Sequence, residues 1–213
     1  MVKKGIFITF EGIEGCGKST QSKLLCKRLR ELGFSVLHTR EPGGNEVSEN
    51  IRTLLLDPKN EITPIAELLL YEASRAQLVK EVIEPFLKKG FVVVCDRFSD
   101  ATLAYQGYAR GLGVELVKTL NKIATQGITP NLTIYLDTSV EKGLSRARDL
   151  EKSGHKAGDR IERENLAFHK KVRNGYLAVA KTYPKRVKVI KVTTTIEKTQ
   201  KLVFETIKKC LKI

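Results

Sequence analysis

The chain has 213 residues, 41% of them apolar and 29% charged, which suits one α/β domain spanning 1–213 with a full hydrophobic core better than two domains and is ordinary for a soluble globular protein. Formal net charge is +14 and unevenly placed, with 20 Lys+Arg against 7 Asp+Glu in residues 142–213 and 18 against 17 in the first 141. The lysines of the basic part follow helical patterns without interleaved aromatics, so the excess reads as a solvated surface, and nucleic acid is not the expected partner. No apolar run is long enough to cross a bilayer, and the opening MVKKG leads into a strand-like run, unlike a signal peptide. Cys16, Cys26, Cys95 and Cys210 are scattered with no C-x-x-C, as reduced thiols of a cytoplasmic protein would be.

In chain order, strand-like and helical patterns alternate. IFITF (6–10) is followed by a glycine-rich turn and a helical pattern over 18–32. SVLHT (35–39) precedes helical patterns over 46–56 and, in one long run, 64–89. FVVVC (91–95) precedes a helical pattern over 113–126, and LTIYL (132–136) precedes two, over 139–152 and 161–183. VKVIKV (187–192) leads into the last, over 196–211. The strands are short and almost continuously apolar, as when helices cover both faces. Such alternation predicts an α/β fold with a doubly wound, five-stranded parallel sheet. Ligands of such sheets bind beyond the strand carboxyl ends, where residues 11–17, 40–45 and 96–100 fall. The polar stretch 151–160 reads as a flap within the domain, with Gly154 and Gly158 as hinges.

Gly12-Ile13-Glu14-Gly15-Cys16-Gly17-Lys18-Ser19 fits G-x-x-x-x-G-K-[ST], with a strand before it and a helix starting at it. Backbone N–H groups of such a loop turn inward around phosphates, and the helix N-terminus adds partial positive charge. Lys18 is expected to reach the β/γ-phosphates of ATP and Ser19 to ligate Mg²⁺, with Asp96, at a strand end, as the second metal residue. A guanine-reading N-K-x-D is missing, since Asn121-Lys122 is followed by Ile-Ala inside a helical pattern. Arginines are abundant instead, at Arg40, Arg52, Arg75, Arg97, Arg146, Arg148 and Arg160. Transfer of a phosphoryl group to an anionic acceptor needs such neutralisation, so a small kinase is the best reading of the residues. A deoxynucleoside kinase and a nucleic-acid-binding P-loop protein remain the alternatives.

FEGIEGCGKST (10–20), TREPGG (39–44), IRTLLL (51–56), LLLYEASRAQ (69–78), DRFSDATLAYQG (96–107) and GLSRAR with DRIE (143–162) follow one another in order. In these blocks the chain resembles the thymidylate kinase (dTMP kinase) family along nearly its whole length. The resemblance implies the P-loop nucleoside monophosphate kinase fold, ATP as donor, dTMP as acceptor, Mg²⁺ and a homodimer. It implies an acceptor region over about 40–80 and a lid over about 146–162. For ATP it implies Gly12, Gly15, Cys16, Gly17, Lys18, Ser19 and Thr20, with Arg146 against the adenine. For dTMP it implies Arg40, the turn at Pro42, Arg52, Arg97, Tyr71 stacked on the base, Arg75, Thr102, Gln106, and Tyr105 crowding the ribose 2′ position. Glu14 would approach the sugar 3′-hydroxyl. Some members carry an arginine inside the P-loop where this chain has Gly15, so the bacterial-type arrangement is implied, with the transition-state arginine supplied from the lid by Arg148 or Arg160. His38, His155 and His169 are given no role.

Overall fold

The computed structural model describes residues 5–153 and 158–211. Gly154, one of the two expected hinges, and His155 lie outside the described residues. Five strands, β1 (Ile6–Glu11), β2 (Val36–Arg40), β3 (Val92–Asp96), β4 (Leu132–Asp137) and β5 (Val187–Lys191), form one parallel sheet in the order β2-β3-β1-β4-β5. Side chains alternate between its two faces. Ile8, Phe10, Val92 and Val94 join the larger core, while Phe7, Val93 and Cys95 join a second core with Leu78, Val79 and Ile83.

The helices are α1 (Lys18–Glu31), α2 (Glu46–Leu56), α3 (Pro64–Leu78), α4 (Glu84–Lys88), α5 (Ser99–Thr102), α6 (Val114–Ala124), α7 (Val140–Lys152), α8 (Leu166–Thr182) and α9 (Ile196–Leu211). Sequence fixes several of their ends. Asn45, Ser139 and Asn165 accept backbone N–H bonds as N-caps of α2, α7 and α8, and Pro64 opens α3 without an N–H to satisfy. The Asn165 cap explains why α8 begins later than the periodicity from 161 suggested.

Two segments depart from the sequence expectation. The long run 64–89 is helical throughout, but a π-helical turn at Val79–Ile83 separates α3 from α4. Pro85 follows that turn, and its ring would collide with the carbonyl four residues back in a regular helix. Residues 99–109, where no helix was expected, form α5 and a π-helical continuation, Leu103–Ala109. Polar residues at its start and glycines 107 and 111 hide its period. Tertiary packing forms it, because Gly175 of α8 lets the two backbones meet: a β-carbon there would lie 3.0 Å from the Ala104 α-carbon.

The sheet order places the site. The strand order reverses between β1 and β3, whose connections leave toward opposite edges of the sheet, and pairing brings Phe10 and Arg40 level with Asp96. The loop after β1, the end of β2 and the Asp96-Arg97 pair therefore open side by side.

Candidate active site

A cavity of about 800 Å³ lies over these strand ends. Glu14, Gly15, Cys16, Gly17, Lys18, Ser19 and Thr20 line it from the P-loop, and Arg40, Pro42, Arg52, Tyr71, Arg75, Asp96, Arg97, Thr102, Tyr105, Gln106 and Arg146 from the other elements. Three expected residues stand apart. Gly12 touches the site through its carbonyl, which accepts a bond from Arg97. Arg148 borders a separate depression with Glu141 and Lys152. Arg160 donates to Glu67 at 2.6 Å and to the Leu55 carbonyl at 2.9 Å. Asp159, Ile161 and Glu162 line the main cavity, as do residues 192–196 after β5.

At the P-loop end, Lys18 is buried, and its Nζ donates to the Ile13 carbonyl at 2.9 Å. Ser19 hydroxyl donates to the Asp96 carboxylate, so the two residues expected at the metal touch. Gly15 takes φ 66°, and a β-carbon there would collide with the Gly143 carbonyl oxygen of α7. A side chain in place of Gly15 is thus excluded by this packing, which is the physical counterpart of a P-loop without an arginine.

Against the P-loop, Arg97 occupies φ 71°, a left-handed conformation that costs a non-glycine residue free energy and persists only where the surroundings impose it. Its guanidinium donates to Glu14 Oε1 at 2.7 Å, to the Gly12 carbonyl at 3.1 Å and to the Tyr176 hydroxyl at 3.1 Å. It also lies over the Tyr105 ring. The Tyr105 hydroxyl donates to the same Glu14 oxygen at 2.6 Å, and His169 Nδ1 stands 3.3 Å from the other. Burial would raise the Glu14 carboxyl, but Arg97, His169 and Lys18 outweigh it and hold the group well below the usual carboxylate range.

The inner wall is a buried ionic cluster. Arg75, 1% exposed, donates to Glu41, Thr102 and Asn121 and pairs with Glu72 at 3.0 Å. Burial, with Glu72 adding to it and Arg75 opposing, pushes the Glu41 carboxyl up to about 7. The Glu41–Pro42 peptide is cis, and Arg52 donates to the Pro42 carbonyl at 2.8 Å. Arg40 is exposed and bonded to Glu49. Gln106 donates to Glu67, the buried carboxylate that also receives Arg110 and Arg160.

Sequence reading missed Glu67, Glu72, Asn121, His169 and Tyr176. Their signal was present. Each is a polar residue on the buried face of an apolar helix, as Asn121 is between Val117 and Ala124.

Glu11, fully buried at the end of β1, accepts from the Phe98 N–H and the Tyr176 hydroxyl, both at 2.8 Å. Burial raises its carboxyl from 4.5 to about 8; Asp100 adds to the rise, while Arg97 and Tyr176 oppose it. A raised acid binds more protons folded than unfolded between those values, so its contribution to stability is complete below about 4.5 and is lost as pH rises through about 8. Urea midpoints should therefore fall across that window, and Glu11→Gln should remove this part of the slope. An equal slope in the variant would assign the dependence elsewhere.

A family model described as Thymidylate kinase matches residues 10–203. The chain is 52% identical over 207 residues to the thymidylate kinase of Geobacter sp. (strain M21), covering 96% of this chain and 92% of that one. It is 49% identical over 208 residues to that of Thermoanaerobacter sp. (strain X514), covering 98% and 100%. Among solved structures, thymidylate kinase from Ehrlichia chaffeensis superposes with a TM-score of 0.77 at 32% identity, covering 96% of this chain and 98% of that one.

Proposed function

The chain belongs to the thymidylate kinase family, and on that premise we propose how its residues carry out the reaction ATP + dTMP → ADP + dTDP. The observation that carries the reading is one cavity lined by Lys18 and the P-loop and also by Arg52 and Arg97, with Arg97 bonded to Glu14 of the P-loop. ATP phosphates lie in the P-loop, whose N–H groups and helix N-terminus cradle them. Lys18 moves from the Ile13 carbonyl onto the β/γ-phosphates. Arg97 and Arg52 take the acceptor phosphate and hold its oxygen in line with the γ-phosphorus. Charge spread over the transferring group is met by fixed donors, so no covalent intermediate and no strong base are needed.

Tyr71 stacks on the thymine, with Arg75, Thr102 and Gln106 at its edge. Tyr105 closes the space at the ribose 2′ position, and Glu14 meets the 3′-hydroxyl. Arg40 flanks the acceptor turn, and Arg146 lies on the donor side. Of the two lid arginines, Arg148 is exposed and turns toward the phosphates, whereas Arg160 must first leave Glu67. The Ser19 hydroxyl and the Asp96 carboxylate are hard oxygen donors and fit Mg²⁺. Among the described residues no cluster of three or more His, Cys, Asp or Glu could hold a metal, so such an ion would draw most of its ligands from phosphate and water. When bound, Mg²⁺ neutralises phosphate charge. EDTA should abolish turnover.

The enzyme works in the cytoplasm as a homodimer. Among the described residues no helix is long and apolar enough to cross a membrane. α2 and α6 both pack on α3, and Leu54, Ile65, Leu69, Leu116 and Ile123 of these helices are exposed, as an interface of packed helices would require. Light scattering should give twice the 23.9 kDa chain mass, and Leu69→Glu should give the monomer.

The direct test of one cavity for both nucleotides is a dinucleotide joining adenosine and thymidine through five phosphates. It should bind at least ~10²-fold tighter than dTMP, because the second half binds at high effective concentration. Affinity no better than dTMP would mean that the two nucleotides do not meet.

A further inference from the structure

The structure holds Arg97 from both sides with residues that do not line the cavity. Its side chain is met by Tyr176 of α8, whose hydroxyl accepts from Arg97 at 3.1 Å and donates to Glu11 at 2.8 Å. Its backbone is met by the same carboxyl group, since the other Glu11 oxygen accepts the N–H of Phe98, the residue directly after Arg97. A left-handed residue is costly to hold, and one buried carboxyl group here anchors both the chain beyond it and, through one phenol, its guanidinium. The phenol is itself immobilised. Tyr176 is 2% exposed, stacks on Tyr135 with ring centroids 5.0 Å apart and meets Tyr105 edge-on.

We propose that Glu11 and Tyr176 are positioning residues that aim the Arg97 guanidinium at the acceptor phosphate. This rests on the reading that Arg97 takes that phosphate. Glu14 holds one terminal nitrogen of the guanidinium, and the other is shared between the Gly12 carbonyl and the Tyr176 hydroxyl, so the phenol is the second of the two acceptors that stop a pivot about the ion pair. The effect falls on recognition of a phosphorylated acceptor, since Tyr176 hydrogen-bonds Arg97 directly and meets the sugar-side Tyr105 only through an edge-on ring contact.

The test compares two ligands in calorimetry, dTMP and thymidine, which differ only in the phosphate. In Tyr176→Phe, dTMP should bind roughly tenfold more weakly, the cost of one bond to a charged group, while thymidine binds as before. KM for dTMP should rise with KM for ATP unchanged. Tyr176→Phe should add nothing further in an Arg97→Met background. Equal weakening of both ligands, with a fall in melting temperature, would show a packing role and overturn the proposal. The two readings fail separately. If Arg97→Met keeps the preference for dTMP over thymidine, Arg97 does not take the phosphate and the proposal falls with that reading. If Arg97→Met loses the preference and Tyr176→Phe keeps it in full, the positioning role alone is wrong.

Discussion

Arg97→Met is expected to lower kcat/KM for dTMP about 10³-fold, through a higher KM and a lower kcat, at unchanged KM for ATP. Two charge-assisted bonds to the acceptor phosphate, lost together, account for that size. Lysine should not rescue, because a point charge on a flexible stem cannot span Glu14, Gly12 and a phosphate at once. The fold should suffer as well. Glu14 is 7% exposed, and removing its guanidinium leaves a buried carboxylate short of its main partner, at a cost of about 3 kcal/mol. Backbone and side-chain effects can be separated by Arg97→Gly. It should be as inactive as the Met variant, yet about 1 kcal/mol more stable to urea, because φ 71° no longer carries a Cβ. Equal stability of the two variants would remove the strain from the account.

Lys18→Met is expected to reduce kcat about 10³-fold or more with little change in KM for dTMP, the pattern of a contact made to charge that develops in the transition state. Lys18 is 8% exposed and sits on its own loop, 2.9 Å from the Ile13 carbonyl, so it is preorganised there with, among the described residues, no ion-pair partner to give up. Burst and steady-state measurements of ADP formation separate this loss from slower product release. A variant with raised KM for dTMP and normal kcat would place Lys18 against the acceptor and not the donor phosphates.

The sheet was legible because a strand covered on both faces writes itself as an unbroken apolar run; VVVC and LTIYL need no context to be read. The P-loop was legible because backbone turning around phosphate demands glycines at fixed spacing. What escaped notice depends on contacts distant in sequence. Residues 99–109 are helical because α8 lies against them at Gly175, and their own composition points to a turn. Arg160 belongs to a motif, but only the fold shows it bonded to Glu67, 93 residues away. The same holds for Tyr176 and Glu11, whose hydrogen bond spans 165 residues. Polar residues on apolar helix faces were the visible trace of these networks, and their partners were not encoded nearby.

The central claim is that Arg52 and Arg97 fit the cavity for an acceptor that already carries a phosphate. The most direct measurement is ADP release by the purified protein with ATP and Mg²⁺, given dTMP, UMP or thymidine in turn. The account predicts rapid release with dTMP and little with UMP or thymidine. Turnover with thymidine in place of dTMP would contradict it, because Arg52 and Arg97 would then face no phosphate at the start of the reaction.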